Sequence, residues 1–452
     1  MPLRSLANST GTGANGSVFA LTIHEGDLIA GGNFTTVGSV IVNHVARWDG
    51  REWSALTGPT GAGVDSGVFA LTVHEGDLIA GGGFATAGGV PVANIARWDG
   101  STWSALSGPS GTGMDSAVFA LTVHDGNLIA AGAFLTAGGV TVNRIARWNG
   151  SAWSTLAGPS GVGMNNGVFA LTVHNTNLIA GGTFTTAGGV VVNRIARWDG
   201  SAWSALAGPA GTGVDDDILA LTVYDGDLVA GGYFSVAGGL TVNRIARWND
   251  NAWSALTGPS GTGVDNSVWA LAIHEGDLIV GGEFVMAGGV VVNRIARWDN
   301  SAWTALPGPS ATGVDGAVFA LTVLNGERIA GGAFTTAGGI PSWRVGRYRS
   351  AGHTVGGMVN GLKLPGLVLE LNNGSMLLFD QDGSYTFAAG LADGANYSVT
   401  APRLPDNHDC SIANATGTIA GADVTNVNVS CTSDIVFADG FEILEESPMV
   451  LN

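Results

Sequence analysis

Val18-Phe19-Ala20-Leu21-Thr22-Ile23-His24, followed by Gly26-Asp27 and then Leu28-Ile29-Ala30-Gly31-Gly32, decides the reading of this chain. Its first half alternates large apolar residues (Phe19, Leu21, Ile23) with Ala20 and Thr22, the period-two signature of a β-strand. A Gly-Asp pair between two such runs suits a tight antiparallel hairpin. Two further runs follow, Val45-Ala46-Arg47-Trp48 and, after the turn Asp49-Gly50, Trp53-Ser54-Ala55-Leu56. Four short strands in succession predict an antiparallel meander, the unit of a propeller blade.

The unit then returns every fifty residues. Val18-Phe19-Ala20-Leu21-Thr22 recurs from Val68, Val118, Val168, Ile218, Val268 and Val318, and Ala46-Arg47-Trp48 recurs in step until it closes as Gly346-Arg347-Tyr348. The seventh copy ends after its third strand. Leu3-Arg4-Ser5-Leu6 aligns with Trp53-Ser54-Ala55-Leu56, so the N-terminus supplies the missing fourth strand. The expected fold is therefore all-β: a seven-bladed β-propeller of four-stranded blades over residues 1–350, with the N-terminal strand closing the last blade and removing an exposed sheet edge. A fragment cut mid-repeat from a longer array is the competing reading.

Composition agrees. The 452 residues include 73 glycines, 45% are apolar and only 12% charged, which excludes a disordered polar chain and long salt-bridged helices. The net charge of −18 repels phosphate backbones, so nucleic acid is not an expected partner. No run of about 18 apolar residues occurs, so no membrane span is expected. Met1-Pro2-Leu3-Arg4-Ser5 does not read as a signal peptide.

The glycine pair Gly31-Gly32 after Leu28-Ile29-Ala30, with Trp48 and Trp53 downstream, resembles the repeats of kelch and galactose-oxidase-type propellers. With Phe34 and Ala46-Arg47-Trp48-Asp49-Gly50 added, the string is similar to the repeats of fungal cortical polarity-marker proteins and of bacterial surface proteins. Ala131 departs from the glycine pair in the third copy. The copper chemistry of galactose oxidase is not carried over, because residues 1–350 contain no cysteine.

Strand alternation puts the long links, second to third strand and fourth strand to next blade, on one rim, the expected binding face for a protein or polysaccharide. The residue after the glycine pair varies between copies: Asn33, Gly83, Ala133, Thr183, Tyr233, Glu283, Ala333. A second variable patch holds Asp65, Asp115, Asp215-Asp216-Asp217, Asp265 and Asp315. These residues are the candidate ligand contacts, and the aspartates are candidate ligands for calcium; no other cofactor is expected. The alternative for each aspartate is a side-chain cap of a Gly-rich turn. His24 and its counterparts, one per blade, are expected to pack rather than to bind metal. Arg47 and its counterparts are expected to bridge to carboxylates such as Asp49 two residues on, and twelve repeat tryptophans to pack between blades.

Near-identical blades offer few unlike groups for catalysis. The expected function is a non-catalytic binding or scaffold protein. The rivals are a polysaccharide lyase or hydrolase acting in the funnel and a purely structural surface-layer component.

Beyond residue 350 the repeat stops, and 12 acidic residues face two basic ones. Residues 351–433 hold short runs such as Leu367-Val368-Leu369-Glu370-Leu371 and Tyr385-Thr386-Phe387, expected to form a small Ig-like β-sandwich, followed by an acidic tail, 434–452. Cys410 and Cys431 are expected as a disulfide in an oxidising compartment, with two free buried thiols as the alternative. Thr354-Val355-Gly356-Gly357, Gly383-Ser384-Tyr385-Thr386-Phe387 and the cysteine pair resemble modules of secreted gammaproteobacterial proteins, which implies a secreted or cell-surface location.

Overall fold

The structure, a computed structural model, describes residues 4–5, 13–58, 61–158, 161–308, 310–348, 353–372, 374–387, 390–391, 395–420 and 422–433. It divides into two compact units, residues 1–349 and 350–452. All regular elements among the described residues are strands.

The first unit is a seven-bladed β-propeller. In blade one, Val18–His24, Asp27–Gly32, Val45–Trp48 and Trp53–Ala55 pair antiparallel in that order. Blades two to six repeat this arrangement. In blade seven, Val318–Leu324, Glu327–Gly332 and Val345–Tyr348 are completed by Arg4–Ser5, with Arg4 opposite Arg347 and Ser5 opposite Gly346. The N-terminal strand does close the last blade.

The core lies between blades. Ile29 and Val45 of blade one pack with Val68, Leu78 and Phe84 of blade two, and the same apolar set recurs around the ring. The first glycine of each pair makes room for this contact. A Cβ on Gly31 would collide with the Val68 side chain, and one on Gly331 would collide with Val18 of blade one, so the same close approach seals the circle. Ala131 fits this position with its methyl fully buried.

Polar staples cross the same seams. His24 Nε2 donates to Gly76 O at 2.9 Å, and His74, His124, His174 and His274 reach the equivalent carbonyl of their next blade at 2.8–3.0 Å. Trp103, Trp153, Trp203 and Trp303 each donate through Nε1 to a leucine carbonyl of the preceding blade. Each histidine thus bridges its own seam, His274 also accepting from Arg328 Nε at 3.0 Å, and among the described residues no group of three His, Cys, Asp or Glu could hold a metal.

The arginine bridge exists, but with a different partner from the one expected. Arg47 pairs with Asp27, and Arg97, Arg247, Arg297 and Arg347 pair with Asp77, Asp227, Asp277 and Glu327. Cross-strand neighbours on the pleat outcompete residues two apart, because the antiparallel register sets Arg47 opposite Ile29 and beside Asp27. Asp49 instead closes its own turn, accepting from the Arg51 and Glu52 N–H groups at 2.8 Å each.

The second unit is a sandwich of two four-stranded sheets. One holds Gly356–Asn360, Gly383–Thr386, His408–Ile412 and Val429–Ser433; the other holds Leu367–Leu371, Ser375–Phe379, Asn396–Arg403 and Thr416–Thr418. Leu367, Leu369, Phe387, Val399 and Val429 form its core. Cys410 and Cys431, opposite each other on adjacent strands, form a disulfide. The acidic tail, 434–452, lies outside the described residues.

Candidate functional site

Each first strand begins with an irregularity that creates the site. In blade one the register passes from Val18 opposite Gly32 to Ala20 opposite Gly31, leaving Phe19 as the extra residue of a β-bulge, and all seven blades do the same. A bulge re-aims one side chain. Here it sends Phe19, Phe69, Phe119, Phe169, Leu219, Trp269 and Phe319 into the axis, where they border a cavity of about 590 Å³. Neighbouring rings sit 5.4–5.8 Å apart and tilted by 48–54° along the phenylalanine run, and Phe319 meets Phe19 at 5.6 Å across the closing seam.

The cavity mouth is built from two repeat positions that pair through the backbone. The residue after the glycine pair donates its N–H to the carbonyl of the residue just before the first strand: Asn33 to Ser17, Gly83 to Gly67, Tyr233 to Asp217, Glu283 to Ser267. In blades two, three and seven both positions hold only Gly or Ala. Blades five and six instead place Asp217, Tyr233 and Glu283 on the cavity wall. Sevenfold sameness is broken on one side of the axis.

That side is ordered by contacts of its own. Trp269 Nε1 donates to Ser267 Oγ at 3.1 Å, and the fully buried Ser267 hydroxyl donates to Glu283 Oε2 at 3.0 Å. Tyr233 meets Trp269 edge-on at 5.7 Å, and Trp269 meets Phe319 edge-on at 5.6 Å. Burial, reinforced by the charge of Asp216 and opposed by that of Arg194, raises the Asp217 carboxyl above the usual range. Burial, then the charges of Glu283, Asp217 and Asp216, raises the Tyr233 phenol. Val285, Met286 and Val291 extend an exposed apolar strip along the rim of blade six.

The sequence-derived candidates therefore separate into two groups. Asp217, Tyr233 and Glu283 converge on the cavity. Asp216 is exposed beside them and accepts the Asp217 N–H at 2.9 Å. Asn33 and Thr183 occupy the same mouth position in blades one and four, and Thr183 Oγ1 donates to Gly167 O at 3.2 Å. Asp65, Asp115, Asp215, Asp265 and Asp315 stand elsewhere on the rim, each with Oδ1 accepting two consecutive backbone N–H groups of the loop after its second strand. The distances run from 2.7 to 3.0 Å, and Asn15 and Asn165 make the same pair of bonds in blades one and four. At Asp215 and Asp315 burial pushes the carboxyl up, but these bonds and a serine or threonine hydroxyl outweigh it and hold it low. These side chains cap turns.

The sequence reading missed Leu219, Trp269 and the phenylalanine ring as cavity walls. A signal existed: the position reads Phe in five copies and changes only to Leu219 and Trp269, in the two blades where the mouth gains Asp217, Tyr233 and Glu283.

A family profile described as a domain of unknown function (DUF5122) beta-propeller matches residues 124–150 and 225–251. These segments run from the first hairpin through the third strand of blades three and five. No curated protein matches the chain. Among solved structures, the computationally designed Ika8 protein is similar over 76% of this chain and 99% of its own, at 15% identity and a TM-score of 0.40. The repeated blades themselves establish the propeller.

Proposed function

We propose that this is a non-catalytic binding protein of the cell exterior, secreted or surface-displayed, which takes a protein or polysaccharide ligand at the axial mouth through blades five and six. One observation carries the reading: fourteen mouth positions are otherwise occupied mainly by small residues, yet Asp217, Tyr233 and Glu283 meet on one arc over an aromatic wall. Selection for folding alone gives no reason to place a partly buried carboxyl with a raised pKa there. The Cys410–Cys431 disulfide supports an oxidising compartment, and the repeat and C-terminal motifs resemble kelch-type and secreted bacterial modules. The rim aspartates that could have favoured calcium each have Oδ1 engaged by two backbone N–H groups, and the reading invokes no metal.

A screen of the whole chain against immobilised glycans and extracellular proteins tests this. A saturable ligand is expected whose binding falls at least about tenfold, the size of one lost buried contact, in Tyr233→Ala and Glu283→Ala. A ligand indifferent to both changes would place recognition elsewhere.

A second reading has support in the same cavity. Asp217 and Glu283 are two carboxylates in unlike environments, the arrangement that divides acid and base roles in glycoside hydrolysis. Turnover of any member of a polysaccharide panel, lost in Asp217→Asn, would replace binding by catalysis.

A further inference from the structure

The axial cavity has a chemistry more specific than its shape. Six of the seven inner strands contribute an aromatic ring to its wall, and Tyr233 adds a seventh ring at the mouth. The ionisable side chains of that wall are Asp217, Glu283 and the Tyr233 phenol, and no basic side chain lines it among the described residues. Arg194 acts on Asp217 through its charge, and Asp216 stands beside them with a second negative charge. Aromatic faces carry negative quadrupole charge, and a cation held against them is attracted most strongly where it is desolvated. Carboxylates at a low-dielectric mouth concentrate cations further.

Resting on the mouth being the binding site, we propose that the group seated in the cavity is a methylated ammonium, the headgroup of a quaternary amine. The choice among cations follows from hydration. A primary ammonium is a strongly hydrated point charge with three donors to satisfy. Against the phenylalanine side chains it would find no oxygen acceptor, since the side-chain oxygens of the wall, those of Asp217, Tyr233 and Glu283, all belong to blades five and six. A quaternary ammonium has no N–H to satisfy and sets only methyl groups against an apolar wall. Sugars fit less well for the same reason, because each hydroxyl taken inside would lose its hydrogen bonds to water. Trp269, the best cation-binding ring type in the wall, is the one held in place by Ser267 and braced by Tyr233 and Phe319. The volume, about 590 Å³, accommodates the headgroup with a chain leaving through the mouth.

Titration calorimetry of the full chain with choline and with 3,3-dimethylbutan-1-ol, its neutral isostere, tests the charge directly. Choline is expected to bind at least about tenfold more tightly than the alcohol, and more tightly than N-acetyl-lysine amide. Trp269→Leu, which copies the residue at 219, and Glu283→Gln should each weaken choline several-fold while the melting temperature stays near that of the parent. Equal affinity for choline and the alcohol, or no choline binding, would overturn the proposal, and tighter binding of the lysine derivative would overturn the preference for methylated nitrogen. If choline fails while a ligand from the screen is still lost in Tyr233→Ala, the ammonium assignment falls and the mouth remains the site. If both fail, the mouth falls too.

Discussion

Asp217 shows at the scale of one residue how the fold gives up stability at its mouth. Its counterparts are Ser17, Gly67, Ala117, Gly167, Ser267 and Ala317, so nothing in blade geometry asks for a carboxylate. Because burial raises its pKa, the native state holds that proton more tightly than the unfolded chain does. Both states are protonated in strong acid, and stability is then lost as pH climbs through the raised carboxyl range and Asp217 ionises. Asp217→Asn should therefore melt with the parent at about pH 3 and above it at pH 7, while binding weakens; thermal scans at the two pH values check this. Asp65 serves the fold as a turn cap. It serves two backbone N–H groups at 2.8 and 3.0 Å, and Asp65→Ala should cost about 0.5–1.5 kcal/mol in denaturant unfolding by giving them up to water. Both residues read alike in sequence, as variable loop carboxylates. Only the bulge at Leu219 and the pairing of Tyr233 N–H with Asp217 O distinguish them, and neither is written in local spacing.

At the scale of the element, turns carry much of the specification. Asp49, Asp99, Asp199 and Asp299 each accept two N–H groups in the hairpin between third and fourth strands. Those backbone bonds, with the serine hydroxyl leading at Asp299, hold all four carboxyls below the usual range. A depressed folded pKa contributes stability that is present above the unfolded value and lost as pH falls below it. Replacing the four with Asn, which blades three and five already use at 149 and 249, should leave melting in strong acid near that of the parent, lower it at pH 7 and so flatten its fall below about pH 4. The hairpins, the strand lengths and the fifty-residue period were all legible in the sequence, because tight turns and period-two alternation are local properties. The partner of Arg47 was not, because it depends on which residues the register sets side by side. The long link after the second strand was read as loop but holds a small ladder, Thr36–Val37 against Val40–Ile41, whose two-residue strands are too short for alternation to declare.

At the scale of the whole molecule, closure positions the cavity. Arg4–Ser5 pairs with the third strand of blade seven, while Phe319 against Phe19 and Gly331 against Val18 join the same seam from inside. Deleting residues 1–5 would leave an exposed edge on blade seven, and should lower the melting temperature by several degrees and promote self-association, as read by calorimetry and light scattering. Closure was readable from the alignment of Leu3-Arg4-Ser5-Leu6 with the other fourth strands. The axial aromatic wall was not, because a ring converges residues fifty apart that alternation alone leaves on separate strands.

The most direct test borrows residues that other blades already tolerate. A variant carrying Asp217→Ala, Leu219→Phe, Tyr233→Ala, Ser267→Ala, Trp269→Phe and Glu283→Ala would give blades five and six the mouth of blades three and seven. Ligand titration of this variant beside the parent, with thermal melting as the control for folding, is expected to show an intact ring that no longer binds. Unchanged affinity in a variant that melts normally would contradict the assignment of the site to blades five and six.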